Sequence, residues 1–206
     1  MATAEGDQGR WRAAGLIAVP IIAALAVSWW ALRGTGGGAR ATTEPLAVQA
    51  SSAWHFEGLA ELSGASDLVV VATVVATERG RLVGDPRTGA VISRRVTLEV
   101  QRVLHSRDGR RSTTVVVEEE GWLEDGTPII VNGLAASAPG DHGVWFLDEV
   151  ATDGAATYIV INEQGRYLQA AGRAGTVGAQ ISDPLIERLQ AMTLEELAEL
   201  VAGRAN

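Results

Sequence analysis

Three patterns of apolar and polar positions follow one another along the chain. From Ala13 to Leu32, twenty residues pass without a charge (AAGLIAVPIIAALAVSWWAL), with Arg12 before them and Arg33 after. A helix of that length spans about 30 Å, the thickness of a bilayer's hydrocarbon core, so the pattern predicts one transmembrane helix over 13–32. Pro20 is tolerated in such a helix, and Trp29 and Trp30 stand at its edge, where amphipathic rings favour the headgroup layer. The plan is a short N-terminal arm (1–12), the membrane helix (13–32), a Gly-rich tether (33–52) and one folded domain (53–206).

Inside the domain the period shifts. His55 to Ala65 carries Phe56, Leu59, Ala60 and Leu62 near one face of a short helix. Leu68 to Thr77 is a nearly continuous β-branched run, as expected of a strand buried on both faces. Arg79 to Gly89 reads as a loop. Val91 to Leu104 alternates with a period of two, placing Val96, Leu98 and Val100 opposite Arg95, Thr97 and Glu99. Thr113 to Glu119, Gly143 to Val150 and Thr157 to Asn162 supply further strands, and a long connection, Gly121 to Pro139, holds the short apolar piece Ile129 to Val131. Ser182-Asp183-Pro184 and Thr193-Leu194-Glu195-Glu196 open two C-terminal helices with N-cap signals, and these helices are expected to cover one end of the strands. The fold class is therefore mainly β: a barrel of five or six strands, with a short N-terminal helix and C-terminal helices.

Orientation follows from a narrow excess of positive charge before the membrane helix. Arg10, Arg12 and the α-amino group oppose Arg33 and Arg40, which predicts a cytoplasmic N-terminus and a domain outside the cytoplasmic membrane. The alternative is secretion after cleavage following Ala41, because Ala39-Arg40-Ala41 has the small-x-small form of a signal-peptidase site.

Charge narrows the functional classes. The chain carries −8, and its first 41 residues hold four Arg against Glu5 and Asp7, so the remainder carries −10. Such a balance excludes nucleic acid as the expected partner. All 17 basic residues are Arg, which removes Ser/Lys dyads and Schiff-base chemistry. The lack of Cys removes thiol catalysis, disulfides and a lipid-modified cysteine anchor.

Few residues carry chemistry. Glu118, Glu119 and Glu120 precede Gly121-Trp122; on a strand, Glu118 and Glu120 share a face and form a candidate pair for a ligand or a hard cation. The plainer reading of that triplet is a solvated strand end. Trp54 and Trp122 flank elements and are candidates to line a groove, whereas Trp145 alternates with Val144 and Phe146 and reads as core. His55, His105 and His142 have no spacing that imposes a common site. Ser137, His142 and Asp148 could be drawn as a triad, but no strained nucleophile elbow supports one. No residue is therefore singled out as catalytic or metal-binding, and no cofactor is implied.

The order of the elements, and with it LAELSGASDLVVVATVV (Leu59 to Val75), Pro139-Gly140 before Phe146-Leu147, and Gln164-Gly165-Arg166-Tyr167, resembles a family of bacterial extracytoplasmic OB-fold domains of unassigned function. It is also similar to the barrels of netrin-like modules and tissue inhibitors of metalloproteinases. The resemblance covers about residues 55–170 and implies an OB-like barrel. It does not carry the inhibitory mechanism, which needs an N-terminal cysteine that this chain lacks. Together these readings give the expectation of a membrane-anchored, non-enzymatic binding or assembly module. It would take an envelope protein or a cell-wall ligand on the loops Arg79 to Gly89 and Gly121 to Ala138. The alternative is a carboxylate- or metal-dependent hydrolase using Glu118, Glu120 and a histidine.

Overall fold

Alternating burial along two strands organises the molecule. The computed structural model describes residues 44–50, 54–85, 89–150, 156–170 and 175–203. In β2 (Leu68–Asp85), Leu68, Val70, Ala72 and Val74 enter one core, while Val69 and Val71 enter another on the opposite face. β6 (His142–Val150) divides in the same way, with Trp145 and Leu147 on the first face and Val144 and Phe146 on the second. Both strands therefore need apolar residues at successive positions, which is what an uninterrupted run such as Leu68 to Ala72 supplies.

The first core fills a partly closed ring. β2 pairs antiparallel with β3 (Gly89–Ser106), and β3 with β4 (Thr114–Leu123). β4 meets β7 (Thr157–Val160) in parallel at Val117 and Tyr158; β7 pairs antiparallel with β6, and β6 returns antiparallel to β2. Five strands thus form a cycle, held across the β4–β7 seam by one registered pair. Val96, Leu98, Val115, Val117 and Trp145 fill its interior. β8 (Arg166–Gln169) and β9 (Thr176–Val177) extend the sheet beyond β6, making seven strands. A separate parallel pair joins β1 (Leu46–Val48) to β5 (Ile129–Val131).

The second core lies outside the ring, where three helices cover β2, β6 and Tyr167. They are α1 (Leu59–Ala65), α2 (Pro184–Gln190) and α3 (Leu194–Ala202). Leu62, Leu185, Leu189, Leu197 and Val201 are buried there, and the Phe146 and Tyr167 rings meet edge to face at 6.2 Å. Both C-terminal helices begin on the expected caps. Asp183 Oδ1 accepts from the Leu185 and Ile186 N–H groups at 2.8 and 2.9 Å, and Thr193 with Glu196 forms a capping box. Arg102 on β3 reaches Glu195 and Glu199 of α3 at 2.7 and 3.1 Å. The helices therefore cover a side of the ring, not the end predicted for them.

Two segments expected to be loops are structured. Arg79 to Asp85 is not a free loop, because β2 runs to Asp85 and pairs there with Gly89, the first residue of β3, so these residues belong to the β2–β3 hairpin. Nor is Gly121 to Ala138 a free loop. Its first residues complete β4, Ile129–Val131 form β5, and Ser137 is buried. The end of the tether is tied down too. Leu46 N–H donates to Pro128 at 2.8 Å, and Asn132 N–H donates to Val48 at 2.9 Å. Among the described residues no helix is long and apolar enough to cross a membrane; the run 13–32 lies outside them.

Candidate functional site

The ring's interior face continues along the hairpin and becomes polar there. Register places Thr77, Arg79 and Leu82 of β2 opposite Val96, Arg94 and Ile92 of β3. Those three in turn lie opposite Val117, Glu119 and Trp122 of β4. Val96 and Val117 line the ring interior, so alternation puts Arg79, Arg94 and Glu119 in one cross-strand row on the same face. A bulge at Gly121 restores this alignment, bringing Trp122 into register with Ile92. Only glycine suits that position, since a Cβ there would sit 2.6 Å from the Ile92 carbonyl oxygen and 2.9 Å from the Arg94 nitrogen.

The row runs from buried to exposed. At its inner end Glu119 meets Arg166 from β8 at 2.8 Å, with side chains 8% and 3% exposed. Ser137 completes the pair: its hydroxyl donates to Glu119 at 2.5 Å, its N–H donates to Glu119 at 3.2 Å, and its oxygen accepts from Arg166 at 2.6 Å. Arg166 also donates to the Ala135 carbonyl and lies 5.5 Å from the Trp145 ring centre. This closed set of bonds is the condition under which a buried ion pair is tolerated.

Arg94 comes next and is less well supplied. Its guanidinium stacks on Trp122 at 4.4 Å, and Nη1 reaches the Ser137 carbonyl at a long 3.4 Å. Its Nε is buried and has no hydrogen-bond partner among the described residues. Burial lowers the Arg94 pKa from its ordinary value; Glu119 opposes that fall and Arg166 adds to it. Arg79, at the exposed end, lies 5.6 Å from the same Trp122 ring.

The opposite face of the hairpin is balanced. There Arg81 holds Glu118 through Nε and Nη2 at 3.0 and 2.9 Å, and Arg95 pairs with Glu78 at 3.7 Å. Glu118 and Glu120 lie opposite Arg95 and Ser93, so they do share this face, as alternation predicts. Burial raises the Glu120 carboxyl above its ordinary value, with Glu119 adding to the rise. The remaining candidates are scattered. Trp54 is 65% exposed, and its carbonyl accepts from Asn162 at 3.1 Å. His142 Nδ1 and the Thr73 hydroxyl are 2.9 Å apart, His55 stands 3.5 Å from Asp183, and His105 lies on β3. Ser137 is bonded to Glu119 and Arg166, not to His142, so it forms no triad with His142 and Asp148. Among the described residues no three His, Asp or Glu side chains gather into a set able to hold a metal ion.

Sequence alone thus points to Trp122 and, as the start of an expected ligand loop, to Arg79, but it assigns no role to Glu119, Arg94 or Arg166. One signal was present: Val115, Val117 and Glu119 share a strand period, which places Glu119, alone of its triplet, on the interior face.

A second charged cluster sits where β2 begins. Asp67 accepts from the Glu149 N–H at 2.9 Å, is paired with Arg107, and shares a side-chain hydrogen bond with Asp148. Burial and the Asp67 carboxylate push Asp148 up to about 6. Asp67 itself is held below its ordinary value by the Asp148 bond, the Glu149 N–H and Arg107, against the opposing effect of burial. Asp148 binds its proton more tightly folded than unfolded, so its contribution to stability is complete below pH 3.8 and is lost as pH rises through about 6. Asp148→Asn keeps a donor toward Asp67 and removes that loss. We expect it to stabilise the protein at pH 7 by on the order of 1 kcal/mol, a figure reduced for screening at a half-buried site. Urea midpoints measured from pH 4 to 8 check this; a constant difference at every pH would refute it.

No protein-family model matches the chain, and no curated protein matches it in sequence.

Proposed function

We propose that this protein is a membrane-anchored, extracytoplasmic binding or assembly module built on an OB-like barrel, and that it engages its partner with the hairpin end of the ring. The barrel reading rests on connectivity. In the cycle β2-β3-β4-β7-β6, the first, second, third, fifth and fourth ring strands follow one another, with the third and fifth parallel. This order supports the reading of an OB-like Greek-key barrel, an architecture that binds ligands on a sheet face and its loops. The anchoring rests on the uncharged run 13–32 and its Trp pair. The partner class follows from placement outside the membrane: an envelope protein or a cell-wall ligand.

One observation carries the binding reading. The interior face of the ring, apolar and buried below, opens along the hairpin into a half-buried surface holding Trp122, Ile92 and two guanidinium groups. The hydrolase alternative has less to support it. Glu118 is engaged by Arg81, and none of the three histidines is bonded to Glu118 or Glu120 among the described residues.

The test is crosslinked capture from native membranes with the full-length protein and with its Trp122→Ala and Trp54→Ala variants. The expected result is a partner held by the parent and by Trp54→Ala but lost from Trp122→Ala, with melting temperature lowered by only a few degrees. Trp122 is half-buried and belongs to neither core, so its removal leaves both buried cores intact. A partner held equally by all three proteins would place recognition elsewhere on the molecule.

A further inference from the structure

We propose that the interior face of the hairpin is a carboxylate-binding site, in which Arg79 and Arg94 flank Trp122 and take an acidic side chain from an extended peptide segment. This rests on the binding reading above and names the chemistry of that site.

The first support is a broken rule of sheet pairing. Arg79 and Arg94 are direct cross-strand partners, and like charges in that position destabilise a sheet. The neighbouring pair on the other face, Glu78 and Arg95, obeys the rule. Three arginines, Arg79, Arg94 and Arg166, serve one carboxylate, Glu119, on the interior face, and Glu119 is already fully engaged by Arg166 and Ser137. No carboxylate among the described residues lies within ion-pair distance of Arg79 or Arg94. The imbalance stands out in a domain (53–206) that holds 13 Arg against 22 Asp and Glu, a net charge of −9. Glu119, across the strand from Arg94, offsets part of its burial but forms no ion pair with Arg94 or Arg79, and local violations of this kind are found at functional surfaces.

The second support is pre-organisation. Arg94 is held by its strand, by the Trp122 face and by the Ser137 carbonyl, while its Nε has no partner. A guanidinium fixed in this way loses little freedom when a carboxylate adds to it, and a planar fork suits a carboxylate. The third is the surrounding surface. Leu82, 47% exposed, and half-exposed Ile92 adjoin the two arginines on the same face. Beyond Val74, β2 has β3 on one side and no strand on the other among the described residues. An extended segment can therefore lie along this edge with an acidic side chain on the arginines and an apolar one on Leu82. A free inorganic anion would use only the arginines.

The test titrates the full-length protein at low salt with three probes: a capped hexapeptide of alternating Glu and Val, the same peptide with Gln for Glu, and inorganic phosphate. The Glu peptide is expected to bind at least about tenfold more tightly than the Gln peptide, with affinity falling as salt is raised. Arg94→Gln and Arg79→Gln should each weaken the Glu peptide by about tenfold. Arg95→Gln, on the balanced face, should leave it unchanged. Thermal melting of each variant confirms that the fold persists. Relieving like-charge repulsion predicts that Arg79→Gln melts no lower than the parent, a result independent of any ligand. Unchanged Glu-peptide affinity in Arg94→Gln would overturn the proposal. So would phosphate binding with no preference between the peptides, which would indicate a small-anion site. Loss of the membrane partner in the Trp122→Ala capture, alongside failure of these titrations, would sink the carboxylate chemistry and leave the binding module standing.

Discussion

Replacing Glu119 with Ala should destabilise the protein by about 3–5 kcal/mol, the cost of leaving a buried charge without its counter-ion. Three features set the size. Arg166 is 3% exposed and cannot swing into water without dragging β8 away from β6. Ser137 loses the acceptor for both its hydroxyl and its N–H. Arg94, already repelled by Arg166, loses the carboxylate whose charge offsets its burial. Glu119→Gln keeps an acceptor without the charge, so its cost should fall between those of Ala and the parent. The double replacement Glu119→Leu with Arg166→Met removes both charges and fills similar volume; it should restore most of the loss, as buried pairs often tolerate apolar substitution. Equilibrium urea denaturation of the four proteins checks the series. A cost below about 1 kcal/mol for Glu119→Ala, the range of exposed pairs, would mean that water reaches the site.

The Glu119 network also shows where the sequence stopped being readable. Glu118, Glu119 and Glu120 are chemically identical in one dimension; their roles diverge only because of what lies across from each. Glu119 meets an arginine 47 positions away, and no local pattern reports a partner at that separation. Residues whose signals are local were easier to read. The run Leu68 to Ala72 announced its two-sided burial because both of its faces are apolar, and Asp183 and Thr193 announced their helices because a cap bonds within three residues. The hairpin failed for the complementary reason. Past Val74 the strand leaves the ring interior, so Glu78, Arg79 and Arg81 no longer alternate with apolar residues and read as a loop.

Each residue of the segment Gln164 to Tyr167 has a distinct physical task. Gln164 donates to the Phe56 carbonyl and accepts from the Phe56 N–H, both at 2.9 Å, binding the segment before α1 to the sheet. Gly165 lets Val160 and Ile161 approach to where a Cβ would be 2.8 and 2.9 Å away. Arg166 turns into the ring end, and Tyr167 turns outward under the helices. Four consecutive residues thus join both cores to the polar row.

Trp145 is where the ring interior and that row meet, and Trp145→Ala should cost about 3–5 kcal/mol. The side chain is fully buried among Val70, Leu98 and Val117, and it supports the Arg166 guanidinium from below. Removing it opens a cavity in a ring whose β4–β7 seam rests on one registered pair, so collapse of the walls would part that seam before it filled the space. The indole N–H has no hydrogen-bond partner among the described residues. Trp145→Phe therefore gives up no bond and removes an unsatisfied donor, which should hold its cost below about 1.5 kcal/mol. The contrast between Ala and Phe, read by circular dichroism during urea unfolding, separates packing from polar effects. Because the arginine rests on the ring, Trp145→Ala and Glu119→Ala should not add: the double variant should lose less than the sum, by at least about 0.5 kcal/mol. Strict additivity would show that the apolar interior and the charged row are independent, and that the hairpin face is not held in place by the core beneath it.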